Sequence, residues 1–438
     1  MCKQNKIKLL LLASFSLAPL LGSGVLIFIV ALTAYATKEN IKKKSSYIIN
    51  SPIKVIGLIF ILYFSTFTIL EFFHSESLTL GIRALGKIFP IFIIGLLALL
   101  LDTKKIFLTH QDVSKAAIFG VYLTFGLIIL FKFIFPNIFL NGLDIFYEKL
   151  GMDTNNRLTM LAGNALPFGT LFVTLSFLTL LGIMEKPPIK KLIAVSALMI
   201  GLITVLLWNN SRGPSLTIGP LLLISIYYIS SKAQIYRIRF FSTYLTLIAL
   251  ILLLCLYCIR GSIEHFLFTL PPLNPGGGNG TYEKYWFAYH TIIDFKPYDI
   301  SVYTRLVMYS GSIKTFLASP IIGHGLDGMG QSILQFLPTE WAELKYRHFH
   351  NTFINHYLAA GIFGLLGLMA ILFSPFLTLY FSKNRKCQDT SFFSFIIITS
   401  MICSGLTNVL LMHDLIGAFF AILIISNALT ISNKIISS

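Results

Sequence analysis

Long apolar runs separated by short polar segments make up most of this sequence. A helix needs about 20 mainly apolar residues to cross the hydrocarbon core of a bilayer. Eleven stretches of roughly this length stand out, at residues 9–36, 53–73, 78–101, 116–135, 158–184, 192–208, 214–229, 240–259, 352–381, 392–412 and 415–431. The pattern therefore predicts an all-α polytopic membrane protein.

The first apolar stretch is longer than a single span requires. Residues 9–36 carry Pro19, Gly22, Ser23 and Gly24 at their middle, and such a cluster breaks or turns a helix. We therefore expect two short helices in a hairpin, which gives twelve transmembrane helices in total. A single first helix, with the N-terminus outside, remains the alternative and gives eleven.

Composition and charge support the membrane interpretation and set the orientation. Of the 438 residues, 55% are hydrophobic and 12% are charged, whereas soluble domains have roughly 25% charged residues. The 34 Lys and Arg residues exceed the 18 Asp and Glu residues, for a net charge of +16. With a cytoplasmic N-terminus, 21 basic residues fall in inner segments, ten in outer segments and three within spans. This follows the positive-inside rule, so the charge is explained by membrane insertion and predicts no nucleic-acid partner.

The layout divides the chain into three regions. Residues 1–259 hold transmembrane helices 1–9, residues 260–350 form one large loop on the outer face with short helices, and residues 351–438 hold helices 10–12. Within the loop, residues 301–317 have the spacing of a helix, which Pro320 ends. The glycine-rich stretch at 271–280 lacks the strand and helix context of a nucleotide-binding loop, so we predict no nucleotide site there.

Two basic residues inside a predicted span are candidates for function. Arg83 and Lys87 lie one turn apart in the span 78–101, and charged groups at such depth are costly unless they pair, snorkel or line a wet cavity. We expect both to share one helix face directed into an outward-opening cavity. An ion pair between Arg83 and Glu71 is the structural alternative, and Lys132, close to the end of its span, is expected to snorkel.

Further candidate chemistry gathers at the outer face. Arg212 lies in the polar turn 208–214, Arg305 lies in the loop helix, and His348, His350 and Asn351 lead into the next span. A guanidinium group suits a diphosphate, and a histidine can take up a proton near neutral pH. Taken singly, each of these residues also fits a structural role.

Metal and disulfide chemistry are not indicated. His348, His350 and His356 have no carboxylate at ligand spacing beside them, and His356 points away from His350 on the helix. The five cysteines are odd in number and lie mostly in or beside apolar runs. Asp414, at the outer end of the last span, is expected to cap that helix.

Three sequence blocks carry a resemblance to a known family. His350-Asn351 is followed after nine residues by Gly361 and after two more by Gly364; the other blocks are Ser211-Arg212-Gly213 and the segment from Arg305 to Tyr309 with Ser319-Pro320 and Gly323-His324-Gly325. In this order the blocks resemble the O-antigen ligase family, membrane glycosyltransferases related to O-antigen polymerases. A weaker similarity extends through residues 404–408.

The resemblance implies a fold and a reaction. The fold is of the GT-C type, with twelve spans and a large periplasmic loop between helices 9 and 10. The reaction moves a polysaccharide from undecaprenyl diphosphate to a sugar hydroxyl of lipid A core, on the periplasmic face of the inner membrane of a Gram-negative bacterium. The family implies no cofactor and no metal.

The resemblance also implies roles for individual residues. His350 would act as general base or position the acceptor, and Arg212 and Arg305 would hold the diphosphate and stabilise its charge as catalytic residues. Lys87, Arg83, His348 and Asn351 are further candidate substrate-binding residues; Arg83 is a candidate because of its charge within a predicted span.

Three other functions remain open at the level of sequence. An O-antigen polymerase would join two lipid-linked repeat units with the same fold, and a protein O-oligosaccharyltransferase would share the histidine motif. A membrane permease would explain the spans, but it would not predict two arginines and a histidine gathered beside a large outer loop. The histidine motif favours the ligase.

Overall fold

A computed structural model gives the structure of the protein. It describes residues 3–20, 26–28, 31, 51–75, 78–101, 106, 108–130, 165–209, 212–232, 290–294, 300–336, 349–381 and 388–437. Within these ranges the regular elements are all helical, which confirms the all-α prediction for this part of the chain.

The longer helices are numbered here in chain order. They are α1 (Lys3–Ser16), α2 (Pro52–His74), α3 (Leu78–Leu85), α4 (Phe89–Leu100), α5 (His110–Ile129), α6 (Ala165–Leu178), α7 (Pro188–Ile203), α8 (Arg212–Lys232), α9 (Ile300–Ala318), α10 (Met329–Leu334), α11 (Thr352–Phe381), α12 (Gln388–Gly405) and α13 (Asp414–Ser437). A π-helical turn, Thr204–Asn209, extends α7.

Several helices have the length and composition of membrane spans. Among the described residues five qualify, or six if a bent pair counts as one span; they are Pro52–His74, His110–Ile129, Pro188–Leu206, Gly213–Lys232 and Thr352–Tyr380, with Leu78–Leu85 and Phe89–Leu100 as the bent pair. Leu166–Leu178 and Asp414–Thr430 are shorter apolar helices. The chain is thus a multi-pass membrane protein. The span predicted at 240–259 lies outside the described residues, and the total of twelve stays a prediction.

The first helix stops well short of a full crossing. Lys8 of α1 forms an ion pair with Asp112 at the start of α5, with 2.5 Å between Nζ and Oδ2. The carbonyl oxygen of Ser16, where α1 ends, lies against Gly120 in the middle of α5. A buried 3-10 turn, Ala18–Leu20, follows. The helix break predicted near Pro19 is therefore present, and it falls about halfway along α5.

The prediction of one continuous helix over 78–101 is wrong. The structure has two helices, α3 and α4, bent by 62° about the turn at residues 86–88. Pro90 occupies the first turn of α4, and a proline there disfavours helical continuation through the residues before it. Arg83 consequently lies in the last turn of α3 and Lys87 in the turn, so the two do not share one face of a straight helix.

The far end of α4 is fixed against α2. Gly57 and Gly95 let the two helices approach closely, since a Cβ at Gly57 would lie 2.9 Å from the carbonyl oxygen of Gly95. Buried Lys54 of α2 donates hydrogen bonds to the carbonyl oxygens of Leu99 and Leu101 at the C-terminal end of α4. The bend between α3 and α4 lies at the other end of α4 from these Lys54 contacts.

A polar network joins other helices at the same end of the bundle as Lys54. Asp389 of α12 accepts hydrogen bonds from Tyr228 and Lys232 of α8. The Tyr228 hydroxyl in turn accepts from the backbone amide of Gly182 at 3.1 Å, in the turn between α6 and α7. The network connects the ends of these helices to one another.

Candidate active site

A cavity of about 570 Å³ opens at the opposite end of the bundle. Polar side chains reach it from three separate places in the chain: Arg83 and Lys87 at the bend, His350 before α11, and His413 and Asp414 at the start of α13. Apolar side chains from α6, α10 and the segment that precedes α10 complete the wall; they include Leu166, Leu326 and Met329. The cavity therefore brings three of the predicted site residues, Arg83, Lys87 and His350, into one space.

Arg83 and Lys87, the two basic residues at the bend, are exposed. The alternative ion pair between Arg83 and Glu71 is not formed, as both residues lie in the described part of the chain and are not paired with each other. Glu71 is instead buried, and its carboxylate accepts hydrogen bonds from the backbone amides of Leu326 and Asp327. The positive charges of Arg83 and Lys87 are thus directed to the cavity side of the bend.

His350 sits at a specialised backbone position. Its φ of 47° is the single positive value at a non-glycine residue among the described residues, and a side chain adopts this region at some cost in energy. Asn351, the next residue, caps α11: its side-chain oxygen accepts from the amides of Phe353 at 2.9 Å and Ile354 at 3.1 Å. The chain turns sharply at His350 to enter the helix, which sets the imidazole at the cavity wall.

The amide group of Asn351 joins two further segments to this cap. Its nitrogen donates to the carbonyl oxygen of Leu406 at 3.4 Å, and its side chain hydrogen-bonds to Tyr309 of α9. Asn351, predicted as a substrate-binding residue, is therefore engaged by the protein on both ends of its side chain.

Arg305 interacts electrostatically with Tyr309, the residue to which Asn351 hydrogen-bonds. Helix α9 confirms the helix predicted at 301–317, and Arg305 lies half-buried on it, one turn before Tyr309. Burial raises the pKa of the Tyr309 hydroxyl, while the hydrogen bond with Asn351 and the charge of Arg305 act in the opposite direction. Arg305 and Asn351, the residue that caps α11, thus both interact with the Tyr309 hydroxyl.

Arg212 is the first residue of α8, and its side chain lies outside the described part of the structure, as does His348. The next residue, Gly213, packs closely on α6 and on the turn after α12, since a Cβ there would overlap Oγ1 of Thr407 and lie 3.4 Å from Leu166. Thr407 precedes the cavity residue Asn408. Helix α8 thus begins beside the cavity, with the end that favours anions.

The segment 404–408 is hydrogen-bonded to the start of α11, directly after the histidine motif begins. The hydroxyl of Thr352, in the first turn of α11, donates to the carbonyl oxygen of Asn408 at 2.7 Å and accepts from the amide of Leu410 at 2.8 Å. Together with the Leu406 contact, these bonds hold the segment between the starts of α8 and α11.

The glycines of the motif shape α11 further along. The helix breaks at Ala360 and Gly361, where Gly361 has a φ of 58°, and a Cβ at Gly361 would overlap the carbonyl oxygen of Ile321. Residues 319–328, here called the docking loop, lie against this break. The amides of His324 and Gly325 donate to the carbonyl oxygens of Leu358 and Ala359 at 2.7 and 2.9 Å. The spacing from His350 to Gly361 therefore sets where the docking loop meets α11.

His413 is a titratable cavity residue that the sequence analysis did not name. Its Nδ1 lies 3.4 Å from Oδ1 of Asp414, and burial lowers its pKa, while the charge of Asp414 partly opposes this. Oδ1 of Asp414 also accepts from the amide of Leu415 at 2.8 Å, in the first turn of α13. In the sequence, the feature that could have identified this site is the His413-Asp414 pair between two apolar stretches.

The arrangement suits an anionic ligand beside a proton acceptor. Cationic groups in a partly enclosed space with apolar walls interact with phosphate more strongly than they would in bulk water. An imidazole in the same space can accept a proton from a hydroxyl group.

One family model matches part of the chain. A family model described as O-antigen ligase matches residues 195–369, which include α8, the Arg305 helix, the docking loop and the histidine motif. No curated protein matches the chain significantly. The family match supports a glycosyltransferase-like enzyme with an O-antigen ligase or polymerase type of function in lipopolysaccharide biosynthesis. Residues 195–369 of the chain are therefore similar to the O-antigen ligase family.

Proposed function

We propose that this protein is an O-antigen ligase. It transfers a polysaccharide from undecaprenyl diphosphate to a sugar hydroxyl of lipid A core, at the periplasmic face of the inner membrane of a Gram-negative bacterium. The observation that carries the proposal is the cavity that joins Arg83 and Lys87 to His350, in a chain whose residues 195–369 match the O-antigen ligase family model. A lipid-linked diphosphate is already an activated donor, so the reaction uses no nucleotide, and the proposed mechanism uses no metal.

The proposed architecture is of the GT-C type. It has twelve transmembrane helices, with helices 1–9 in residues 1–259, a periplasmic loop in residues 260–350 and helices 10–12 in residues 351–438. The outer ends of α6, α8, α11 and α13 meet at the cavity in this arrangement.

His350 is the proposed general base. It takes the proton of the acceptor hydroxyl as the hydroxyl oxygen attacks the anomeric carbon of the donor. The bond between that carbon and the diphosphate oxygen breaks, and its electron pair leaves with undecaprenyl diphosphate. His348 is proposed to contact the acceptor, and Asn351 to hold His350 in its turned conformation.

Arg212 and Arg305 are proposed to bind the diphosphate and to stabilise the negative charge that develops on it. Fixed cationic donors of this kind act most strongly where the charge forms in the transition state. Arg83 and Lys87, whose charges line the cavity, extend the same positive surface toward the bend between α3 and α4.

The second candidate is an O-antigen polymerase, which would use the same cavity for two lipid-linked repeat units. The description of the matching family and the histidine motif favour the ligase. A protein O-oligosaccharyltransferase would differ in the acceptor, and a permease is the least favoured candidate because it would not predict two arginines and a histidine beside a large outer loop.

Lipopolysaccharide from a strain that lacks this protein separates the candidates. For a ligase, full-length polymer accumulates on undecaprenyl diphosphate and the lipid A core stays bare. A single repeat unit on the core would identify a polymerase instead, and lipopolysaccharide of normal length would contradict both. A plasmid copy of the wild-type gene is the control.

A further inference from the structure

Glu71 is a buried carboxylate that has no part in the proposed chemistry. It lies one turn before the end of α2 and its side chain is 1% exposed. We infer that Glu71 is a positioning residue for the proposed transfer: it holds the docking loop and the bend that carries Arg83 at a fixed separation across the cavity. The inference rests on the proposed function.

The first contact of Glu71 is with the docking loop. One carboxylate oxygen accepts from the amide of Leu326 and the other from the amide of Asp327 at 3.4 Å. A Cβ at Gly325 would lie 3.1 Å from Oε2 of Glu71 and 2.9 Å from the Cβ of His74. The loop therefore rests directly on the end of α2, and Gly325, with a φ of 77°, permits the approach.

The docking loop is in turn bound to the helices that carry the proposed catalytic residues. Its amides pair with α11 at the break, and the amide of Ile362 donates back to the carbonyl oxygen of Pro320 at 3.0 Å. The ring of His324 donates from Nε2 to the carbonyl oxygen of Thr315 on α9 at 2.9 Å. A displacement of the loop would consequently move the helix of His350 relative to that of Arg305.

The loop also forms part of the cavity itself. Leu326, whose amide is held by Glu71, lines the cavity together with Met329 at the start of α10. Both side chains are at least 95% buried. Glu71 thus fixes a wall that faces His350 and Lys87.

The second contact of Glu71 is with α3. A Cβ at Gly81 would lie 3.5 Å from Cγ of Glu71 and 3.0 Å from Oγ of Ser75. Arg83 follows Gly81 by two residues on this short helix. One side chain therefore contacts both the helix that presents Arg83 and the loop that forms the opposite wall.

A carboxylate is suited to this position because it offers two acceptor oxygens to two amide donors. Glutamine has the same shape but presents one acceptor and one donor group, so it can satisfy one of the two amides. Alanine satisfies neither. The wild type, Glu71→Gln and Glu71→Ala therefore differ stepwise in the number of docking-loop amides that residue 71 can accept from.

The test is the turnover number of purified, monodisperse protein, normalised to the amount of folded protein. A displacement of about 1 Å between reacting groups can lower the rate about 100-fold. We expect Glu71→Ala to lower kcat by about this factor and Glu71→Gln to recover part of it, with a smaller change in the KM for the donor lipid, because Glu71 does not touch the substrate. Glu185→Gln, at an exposed carboxylate near the inner end, is the control and should keep the wild-type kcat.

A residue that serves folding alone would lower the yield of folded protein and leave kcat per folded molecule unchanged. That result in Glu71→Ala would overturn the inference. If Glu71→Ala does not fold, Glu71→Gln decides in the same way: a wild-type kcat in the folded protein overturns the positioning role.

A distance measurement tests the positioning without turnover, and so separates this inference from the proposed function. Spin labels at the exposed positions Ile82 on α3 and Gln331 on α10, in a variant with its five cysteines replaced by serine, report the separation across Glu71. We expect a narrow distribution with Glu71 and a broader or shifted one with Gln or Ala. Identical distributions would overturn the inference, even if the protein proves to have another activity.

Discussion

The hydroxyl of Tyr63 donates a hydrogen bond of 2.7 Å to Nε2 of His356, inside the contact between α2 and α11. The direction follows from the other ring nitrogen, since Nδ1 is 2.6 Å from the carbonyl oxygen of Thr352 and must be the donor there. His356 is fully buried. The two histidines near the start of α11 thus have different surroundings. His350 lines the cavity, whereas His356 connects α2 and α11.

The Tyr63 bond predicts a stability effect without a loss of chemistry. Tyr63→Phe leaves Nε2 of His356 buried with no donor, which costs about 1–3 kcal/mol. We expect a lower unfolding temperature in detergent and near wild-type transfer per folded molecule. A loss of transfer as large as that of His350→Ala would contradict the separate role given to His356.

The break in α11 predicts a strong requirement for glycine at 361. Gly361→Ala places a side chain at a φ of 58° and against the carbonyl oxygen of Ile321, so we expect the docking loop to be displaced and the protein to be destabilised by at least about 1 kcal/mol. Gly126→Ala in α5 is the matched control, because a Cβ there meets nothing within 4 Å and alanine favours a helix. Equal thermal stability of the two variants would refute this reading of the motif.

The cap of α11 predicts that aspartate can partly replace Asn351. An Asp side chain still accepts from the amides of Phe353 and Ile354, whereas Ala loses both bonds, at a cost of about 1 kcal/mol. We expect Asn351→Ala to lower the unfolding temperature more than Asn351→Asp. Both should reduce transfer, because both lose the amide nitrogen that holds Leu406. Full activity in Asn351→Ala would show that His350 does not depend on the cap.

His413 predicts a pH dependence of stability. Burial lowers its pKa below the ordinary value of 6.5, so the unfolded chain takes up a proton at a higher pH than the folded chain. Stability therefore rises with pH between the folded pKa and 6.5, and it is lost as the pH falls through this window. We expect His413→Gln to reduce the slope of unfolding free energy against pH in that range. An unchanged slope would mean that the proton is taken up elsewhere.

The sequence predicted the helical membrane class because long apolar runs have few alternatives in a bilayer. It also placed Arg305 on a helix that ends before Pro320, since the apolar spacing and the proline are local signals. The blocks around Arg212, Arg305 and His350 were found as motifs, and the structure adds why their spacing matters: the starts of α8 and α11 meet at Thr407 and Leu406.

Other features depend on contacts between distant parts of the chain, which local pattern does not encode. The bend of 62° between α3 and α4 falls within a continuous apolar run, so hydropathy alone predicted one span. The role of Glu71 depends on Leu326, far along the chain, and the sequence offered Arg83 as a nearer partner. His413 reaches the cavity through the packing of α13.

The proposed function depends most directly on His350, and its test is transfer by purified protein in liposomes. The assay supplies polysaccharide on undecaprenyl diphosphate and lipid A core as acceptor, and compares the wild type with His350→Ala at equal amounts of folded protein. The proposed role as general base predicts a rate at least about 100-fold lower in the variant, with donor binding retained. Transfer at the wild-type rate by His350→Ala would contradict it.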